Sequence, residues 1–181
     1  MYTFSEIKIA LSGSLAKVEQ FIQTVSPATL HAKPTAKWSI AEELFHLISS
    51  DMGSAQAFSQ SASTLRETRH SLRNYNEIVA EYREKYAMGG IVIPTHLVPD
   101  EETHNRQQMQ FLDDFSRAAS TLQQSLSTWT EDILDLFTVW KHPLLGPVTA
   151  REMLFFTIFH NRHHLASMQA KQTYLENNAK M

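Results

Sequence analysis

Two histidines spaced four residues apart, His160 and His164, are the side chains best placed for chemistry. On a helix this spacing gives about 6 Å of rise and about 40° of rotation, so both imidazoles point to the same side. Such a pair can reach one ion at the usual Zn–N distance of about 2.0–2.1 Å. The same stripe holds three apolar residues, Met153, Phe156 and Met168. We therefore expect the pair to face inward, whereas His163 lies on a neighbouring face.

A metal site needs a further protein ligand, and a catalytic site keeps one more position for water or substrate. His46 is the best candidate for the third ligand, since it lies beside Leu44 and Leu47 in a segment expected to pack in a helical bundle. Metal sites in bundles are built from side chains on facing helices. Three neutral imidazoles suit zinc, nickel or iron better than magnesium or calcium.

Spacing alone leaves an alternative open, because two buried histidines can instead hydrogen-bond to backbone groups or carboxylates. The following histidines are expected at the surface: His31, His70, His96, His104 and His142. Of these, His96 and His142 lie in predicted loops that could border the site. Glu42 and Glu43 could serve as an outer acceptor or base near His46, although Glu42 is also expected to cap a helix. Asp113 and Asp114 are more typical of a solvated helix face.

Composition and motifs exclude several function classes. The chain has no cysteine, which rules out disulfides, thiolate metal sites and a cysteine nucleophile. Its net charge of -3 and scattered basic residues do not form the basic stripe that nucleic acid requires. The sequence contains no phosphate loop, no dinucleotide-binding glycine turn, no nucleophile elbow and no His-Glu-x-x-His motif.

The elements that must position the histidines follow from periodicity and helix-start signals. Four long helices are predicted, at about Ser5–Val25, Ser39–Ser61, Asp100–Leu126 and Thr149–Gln172. Ser39 with Glu42, and Thr149 with Glu152, form capping boxes at the starts of the second and fourth helices. Asp100 to Glu102 would suit the positive end of the third helix dipole.

The connecting segments show weaker periodicity of their apolar residues than the four long helices do. The stretch Leu65–Glu84 is polar and compatible with a helix, and Thr130–Phe137 with a short helix or turn. Met88–Pro99 is expected to be a loop that crosses the bundle as a lid or wall of a pocket. Val139–Val148, with its two prolines and one glycine, is expected to be another loop.

Two blocks of sequence resemble the DinB-like superfamily, which includes the YfiT-type metal-dependent hydrolases. One block runs from Lys37 to Leu47 (KWSIAEELFHL) and is similar to the family's tryptophan–serine helix start followed by a His-Leu pair. The other runs from His142 to Glu152 (HPLLGPVTARE), followed by His160–Leu165 (HNRHHL), and is similar to the family's loop into its last helix. The order and spacing fit over nearly the whole chain.

The resemblance implies an all-α, four-helix bundle with long connecting loops, formed by residues 1–181 as one domain. It also implies that one histidine of the second helix and two of the last bind a metal, here His46, His160 and His164. Metals in the family are zinc, nickel, manganese or iron, and we expect zinc or nickel here. Family members are often dimers, so a homodimer is expected.

Three functions follow as hypotheses. The first is a metal-dependent hydrolase, or a transferase acting on a low-molecular-weight thiol, with a small-molecule substrate and an open metal position. The second is a non-catalytic, stress-related protein whose metal staples two helices, and the third is a metal-free interaction bundle. No signal peptide or apolar run of about 20 residues occurs, so a cytoplasmic protein without membrane or nucleic-acid partners is expected.

Overall fold

The computed structural model describes residues 2–34, 37–61, 64–89 and 92–178. The helices are α1 (Phe4–Thr24), α2 (Pro27–Leu30), α3 (Ile40–Phe58), α4 (Tyr75–Ala87), α5 (Gln108–Ser125) and α6 (Ala150–Asn178). The strands are β1 (Arg66–Glu67), β2 (Phe137–His142) and β3 (Gly146–Thr149). Short 3-10 helices cover Thr95–Leu97, Glu102–Asn105 and Glu131–Ile133.

Helices α1, α3, α5 and α6 form a four-helix bundle, as predicted. Helix α1 packs against α5 and α6, and α3 packs against the same two helices. The first and second bundle helices in chain order are therefore diagonal partners rather than neighbours. This arrangement places α3 beside α6, so that side chains from the two helices can meet in the core.

The capping boxes predicted at the starts of α3 and α6 are both present. Ser39 Oγ accepts from the Glu42 backbone N–H at 3.2 Å, and the Glu42 carboxylate accepts from the Ser39 N–H at 2.7 Å. Thr149 and Glu152 make the equivalent pair at 3.2 and 3.0 Å. Because each box satisfies free backbone donors of the first turn, it fixes where the helix begins.

Helix α6 is buried on nearly all sides of its first three turns, as the apolar run in the sequence predicts. The buried carboxylate of Glu152 at its start accepts from Arg73 Nε at 3.0 Å and from His70 Nε2 at 2.8 Å. Arg73 also donates to the backbone carbonyls of Leu145 and Pro147. The segment before α4 is thereby tied to the start of α6.

Two predicted helix starts are wrong, and α6 extends to Asn178 rather than ending near Gln172. Helix α4 begins at Tyr75 rather than near Leu65, because Asn74 caps it and the preceding residues include β1. Helix α5 begins at Gln108 rather than Asp100. The Asp100 carboxylate instead accepts from the backbone and hydroxyl of Thr103, so the acidic residues there lie at the start of the short 3-10 helix Glu102–Asn105 and not at the start of α5.

The segment predicted as the loop Val139–Val148 is a β-hairpin. Strand β2 pairs antiparallel with β3 on one side and with β1 on the other. Pro147 is tolerated because β3 lies at the edge of the sheet, where a missing N–H costs no ladder bond. Gly146 has a φ of 69° and enters β3 from the turn, a conformation that favours glycine.

Within the described part of the chain, no helix is both long and apolar enough to span a membrane. Gly90 and Ile91 of the predicted lid, like Thr35 and Ala36 before α3, lie outside the described residues.

Candidate metal centre

The three histidines predicted as ligands lie together between α3 and α6. Nε2 of His160 is 3.3 Å from Nε2 of His46 and 3.1 Å from Nε2 of His164. His160 is buried, and His46 and His164 are half-buried. In the described residues, these three are the group of histidine and acidic side chains whose atoms converge closely enough to hold one ion.

The distances match a tetrahedral metal site. Two nitrogens bound at about 2.0–2.1 Å around a tetrahedral ion lie about 3.4 Å apart. The Nε2 separations of 3.1 Å (His160 to His164) and 3.3 Å (His160 to His46) are close to that spacing. A small adjustment of the rings would therefore bring all three nitrogens to one zinc-sized ion.

Hydrogen bonds on the far side of two rings leave their Nε2 lone pairs free. His46 Nδ1 donates to the backbone carbonyl of Leu97 at 3.1 Å, and His164 Nδ1 donates to the Glu43 carboxylate at 3.2 Å. A neutral imidazole carries one N–H, so each Nε2 is an acceptor. Such outer hydrogen bonds are the usual means by which proteins orient histidine ligands.

His160 Nδ1 is buried without a hydrogen-bond partner among the described residues. If Nε2 offers its lone pair, the proton is on Nδ1, and that N–H has no acceptor among the described residues. If Nε2 carries the proton instead, it can donate to just one of its two neighbours. A cation would satisfy all three Nε2 lone pairs at once, which the hydrogen bonds among the three rings cannot do.

The environment favours the neutral form of two of the imidazoles, those of His46 and His160. Burial, followed by the nearby His164, lowers the pKa of His46 to about 4. The same two causes hold the pKa of His160 well below its ordinary value. Because only neutral imidazole binds metal, these shifts favour binding near neutral pH.

Aromatic rings fix the faces of two of the histidines. The Trp38 ring lies 5.2 Å from the ring of His46, and the Phe156 ring stacks on His160 at 5.0 Å. Trp38 immediately precedes Ser39, the cap of α3, and its ring also supports the candidate ligand His46. Leu97 belongs to the 3-10 helix Thr95–Leu97, which places the described end of the predicted lid segment against the site.

The two acidic residues beside the site are both committed to other groups. Glu42 caps α3 and pairs with Lys33. Burial alone would raise the pKa of Glu43, but hydrogen bonds from His164, Lys171 and Ser167 outweigh it and lower that pKa. Neither carboxylate is therefore placed as a free base facing the three Nε2 atoms.

His142 was expected in a surface loop, and this expectation is wrong. It ends strand β2, is buried, and lies 4.3 Å from the Phe156 ring. Its Nδ1 accepts from the backbone N–H groups of Leu144 and Leu145, both at 3.1 Å. His142 thus shapes the hairpin and supports Phe156, the ring that stacks on His160.

His96 and His104 are exposed, as expected, whereas His31 and His70 are partly buried and hydrogen-bonded. His163, which was expected on a neighbouring face of the helix, is exposed.

Sequence reasoning missed three contributors to the site. The Leu97 carbonyl could not be found, because its contact with His46 spans 51 residues of chain. Ser167 and Lys171 were also missed, although their positions i+3 and i+7 from His164 put them on its face of the helix. That spacing is the signal that could have identified them.

A cavity of about 190 Å³ lies elsewhere, between Tyr2, Tyr75 and Phe155. Phe155 lies on the side of α6 opposite His160 and His164, so the cavity belongs to a different face of the bundle.

The comparisons with known proteins agree with this architecture. The family model of the DinB superfamily matches residues 10–168. A solved structure with TM-score 0.65 and 17% identity, covering 97% of this chain and 91% of its own, is described as "YfiT from Bacillus subtilis is a probable metal-dependent hydrolase with an unusual four-helix bundle topology". No protein of curated function matches the chain. Since the family model spans most of the sequence, this chain belongs to the DinB superfamily.

Proposed function

We propose that this protein is a metal-dependent enzyme whose ion is held by His46, His160 and His164 with one coordination position left for water or substrate. The observation that carries the proposal is the convergence of three Nε2 atoms, two of them 3.1 and 3.3 Å from the third. Three histidines and an open position are also the ligand set of well-known catalytic zinc sites. The all-nitrogen donor set suits zinc, nickel or iron better than magnesium or calcium, and of these metals we propose zinc or nickel.

Hydrolysis of a small-molecule substrate is the favoured reaction. A divalent metal with an open position lowers the pKa of bound water to about 7, which generates a nucleophile at neutral pH. The protein's own contribution is to orient His46 through the Leu97 carbonyl, His164 through the Glu43 carboxylate and His160 through the stacked Phe156 ring. Both nearby carboxylates are bound to other groups and do not face the three Nε2 atoms. The similarity to a probable metal-dependent hydrolase supports the same choice.

Transfer of a low-molecular-weight thiol is the alternative reaction class, since the same metal would also acidify a bound thiol. It is supported by the absence of cysteine, because no side chain of the protein can compete with a thiol substrate for the metal. We also propose that the protein acts as a cytoplasmic homodimer, which sedimentation of the purified protein would test.

The experiment uses untagged protein loaded with zinc, nickel or cobalt, together with the His160→Ala variant. Turnover of esters, amides or phosphoesters by the loaded wild type, lost in the variant, would support the hydrolase. A thiolate-to-cobalt charge-transfer band on adding low-molecular-weight thiols, with thiol transfer to an electrophile, would support the transferase instead.

Metal binding without turnover or thiol binding would contradict both catalytic proposals. It would leave the non-catalytic, metal-stapled bundle, for which removing the metal should cause a large fall in melting temperature.

A further inference from the structure

Glu43 lies directly behind His164 and is almost fully buried, with 5% of its surface exposed. Its carboxylate accepts from His164 Nδ1 at 3.2 Å, from Ser167 Oγ at 2.7 Å and from Lys171 Nζ. The three donors lie at positions i, i+3 and i+7 of α6, so they share one face of the helix. Glu43 thus joins α3 to the helix that carries two of the histidines.

Lys171 is also buried, with 7% of its surface exposed. A buried ammonium is tolerated only when it is paired and hydrogen-bonded. Its ion pair with Glu43 meets that requirement, and the two charges cancel. The pair as a whole therefore contributes no net charge to the surroundings of the three histidines.

The two members of the pair have opposite effects on a cation at the histidines. A carboxylate that accepts from a ligand imidazole strengthens that imidazole as a donor and attracts the ion. An ammonium at the far side of the same carboxylate repels the ion and withdraws charge from the carboxylate. Without Lys171 the carboxylate would partly neutralise the ion.

We propose that Glu43 and Lys171 form a charge-matched outer pair in which Glu43 orients His164 and Lys171 cancels the carboxylate's charge. A divalent metal held by the three imidazoles would then face no net charge from this pair and could activate water or a thiol. The inference rests on the proposed function, because it concerns the same metal site. Both residues are positioning residues, since neither faces the convergent Nε2 atoms.

A purely structural ion pair between α3 and α6 would behave differently. Removing either member of such an ion pair would make the three histidines less well positioned, so substitution of Glu43 and substitution of Lys171 would both weaken metal binding. The charge-matched pair predicts effects of opposite sign. The sign of the Lys171 effect therefore separates the two explanations.

The test measures zinc affinity by competition with a chromophoric chelator, on untagged full-length protein. Glu43→Gln should weaken zinc binding about 10- to 100-fold, the range found for lost outer partners of histidine ligands. Lys171→Met should tighten binding about 3- to 10-fold, because a nearby positive charge is removed. The double variant should fall between wild type and Glu43→Gln, since it removes both charges.

Lys33→Met is the matched control. Lys33 pairs with Glu42, the neighbouring carboxylate on α3, at 2.9 Å, but this pair contacts none of the three histidines. Its zinc affinity should stay within about twofold of wild type. A change as large as that of Lys171→Met would mean that net charge, and not this pair, sets the affinity, and would overturn the proposal.

Lys171→Met leaves a buried carboxylate without its cation and could impair folding. Lys171→Gln removes the same charge but keeps a hydrogen-bond donor for Glu43, and should tighten zinc binding in the same direction. Circular dichroism of the metal-free variants checks that the helices remain. If folded Lys171 variants bind zinc no more tightly than wild type, Lys171 does not offset the charge of Glu43 and the proposed charge-matched pair is wrong. If the wild type binds no metal, the proposed function itself is wrong.

Discussion

Asp51 offers a quantitative test of the packing behind the metal centre. It lies on α3, is fully buried, and accepts from the Asn161 side-chain amide at 3.2 Å. Its other oxygen and the Asn161 carbonyl oxygen have no partner among the described residues. Burial raises the pKa of Asp51 from 3.8 to about 7, and a proton on the free oxygen would provide the missing donor.

The sign of the effect on stability follows from where the proton is bound. Between pH 3.8 and about 7 the folded protein keeps the Asp51 proton and the unfolded chain releases it. The stabilising contribution is therefore complete below pH 3.8, declines as the pH rises, and is lost above about 7. At 1.36 kcal/mol per pKa unit the whole change is about 4 kcal/mol, and about 3 kcal/mol of it lies between pH 5 and 8.

The assay compares wild type with Asp51→Asn, a neutral side chain of the same shape. Urea unfolding of both metal-free proteins, with a chelator present, gives the free energy of unfolding at pH 5 and pH 8. The wild type should lose about 3 kcal/mol relative to the variant between the two values. Burial lowers the pKa of His46 and His142 to about 4, which weakens the fold as the pH falls below 6.5. Because both proteins share these histidines, their effect cancels in the difference.

If the difference in free energy of unfolding between wild type and Asp51→Asn is the same at pH 5 and pH 8, burial does not raise the pKa of Asp51. If the difference changes in the opposite direction, the folded carboxyl is ionised at pH 5 and the expected protonation is wrong.

Three further predictions concern the site and the elements that hold it. His160→Ala should lower zinc affinity at least about 100-fold, as measured by calorimetric titration, because one metal ligand is lost. Circular dichroism should show unchanged helical content, because the substitution leaves the backbone of α6 intact. A large loss of helix would contradict this prediction. Arg73→Met should lower the free energy of unfolding, measured by urea denaturation, by about 3 kcal/mol, because the buried Glu152 carboxylate loses its cation. A change below about 1 kcal/mol would mean that water or His70 replaces Arg73 as the partner of this carboxylate. Gly146→Ala should destabilise the hairpin by about 1 kcal/mol, because the φ of 69° at this position favours glycine. Gly13→Ala in α1, where there is open space for the methyl group, should stabilise the protein slightly. If the two substitutions shift the melting temperature in the same direction, the backbone conformation is not what distinguishes the two glycines.

The sequence was sufficient wherever the signal was local. The capping residues Ser39 and Thr149 each lie three residues from their acidic partner, so both helix starts could be predicted. The four-residue spacing of His160 and His164 likewise predicts a shared helix face. These features depend on backbone geometry that a helix imposes regardless of the rest of the fold.

Prediction failed where distant parts of the chain decide the structure. Strand β2 exists because β1 and β3 pair with it, and Phe137 to His142 shows too little alternation to indicate a strand. His142 is buried because Phe156 and the hairpin turn cover it. The helical potential of the residues after Leu65 is overridden by β1 and by the bond from Arg73 to Glu152.

The candidate site shows the same division. The spacing on α6 identified two of the three histidines, the apolar neighbours of His46 made it the best candidate for the third, and the family pattern pointed to the same residue. The hydrogen bond from His46 to the Leu97 carbonyl depends on how α3 and the crossing segment pack. The bonds of Ser167 and Lys171 to Glu43 depend on how α3 packs against α6, although the spacing of both residues from His164 could be seen in the sequence.

The proposed role of His46, His160 and His164 as ligands of one metal ion can be tested by elemental analysis of untagged protein combined with X-ray absorption at the edge of the bound metal. We expect about one equivalent of metal per chain, coordinated by three imidazole nitrogens at about 2.0–2.1 Å and one further light atom. Less than about a tenth of an equivalent, with no rebinding after addition of zinc or nickel, would contradict it.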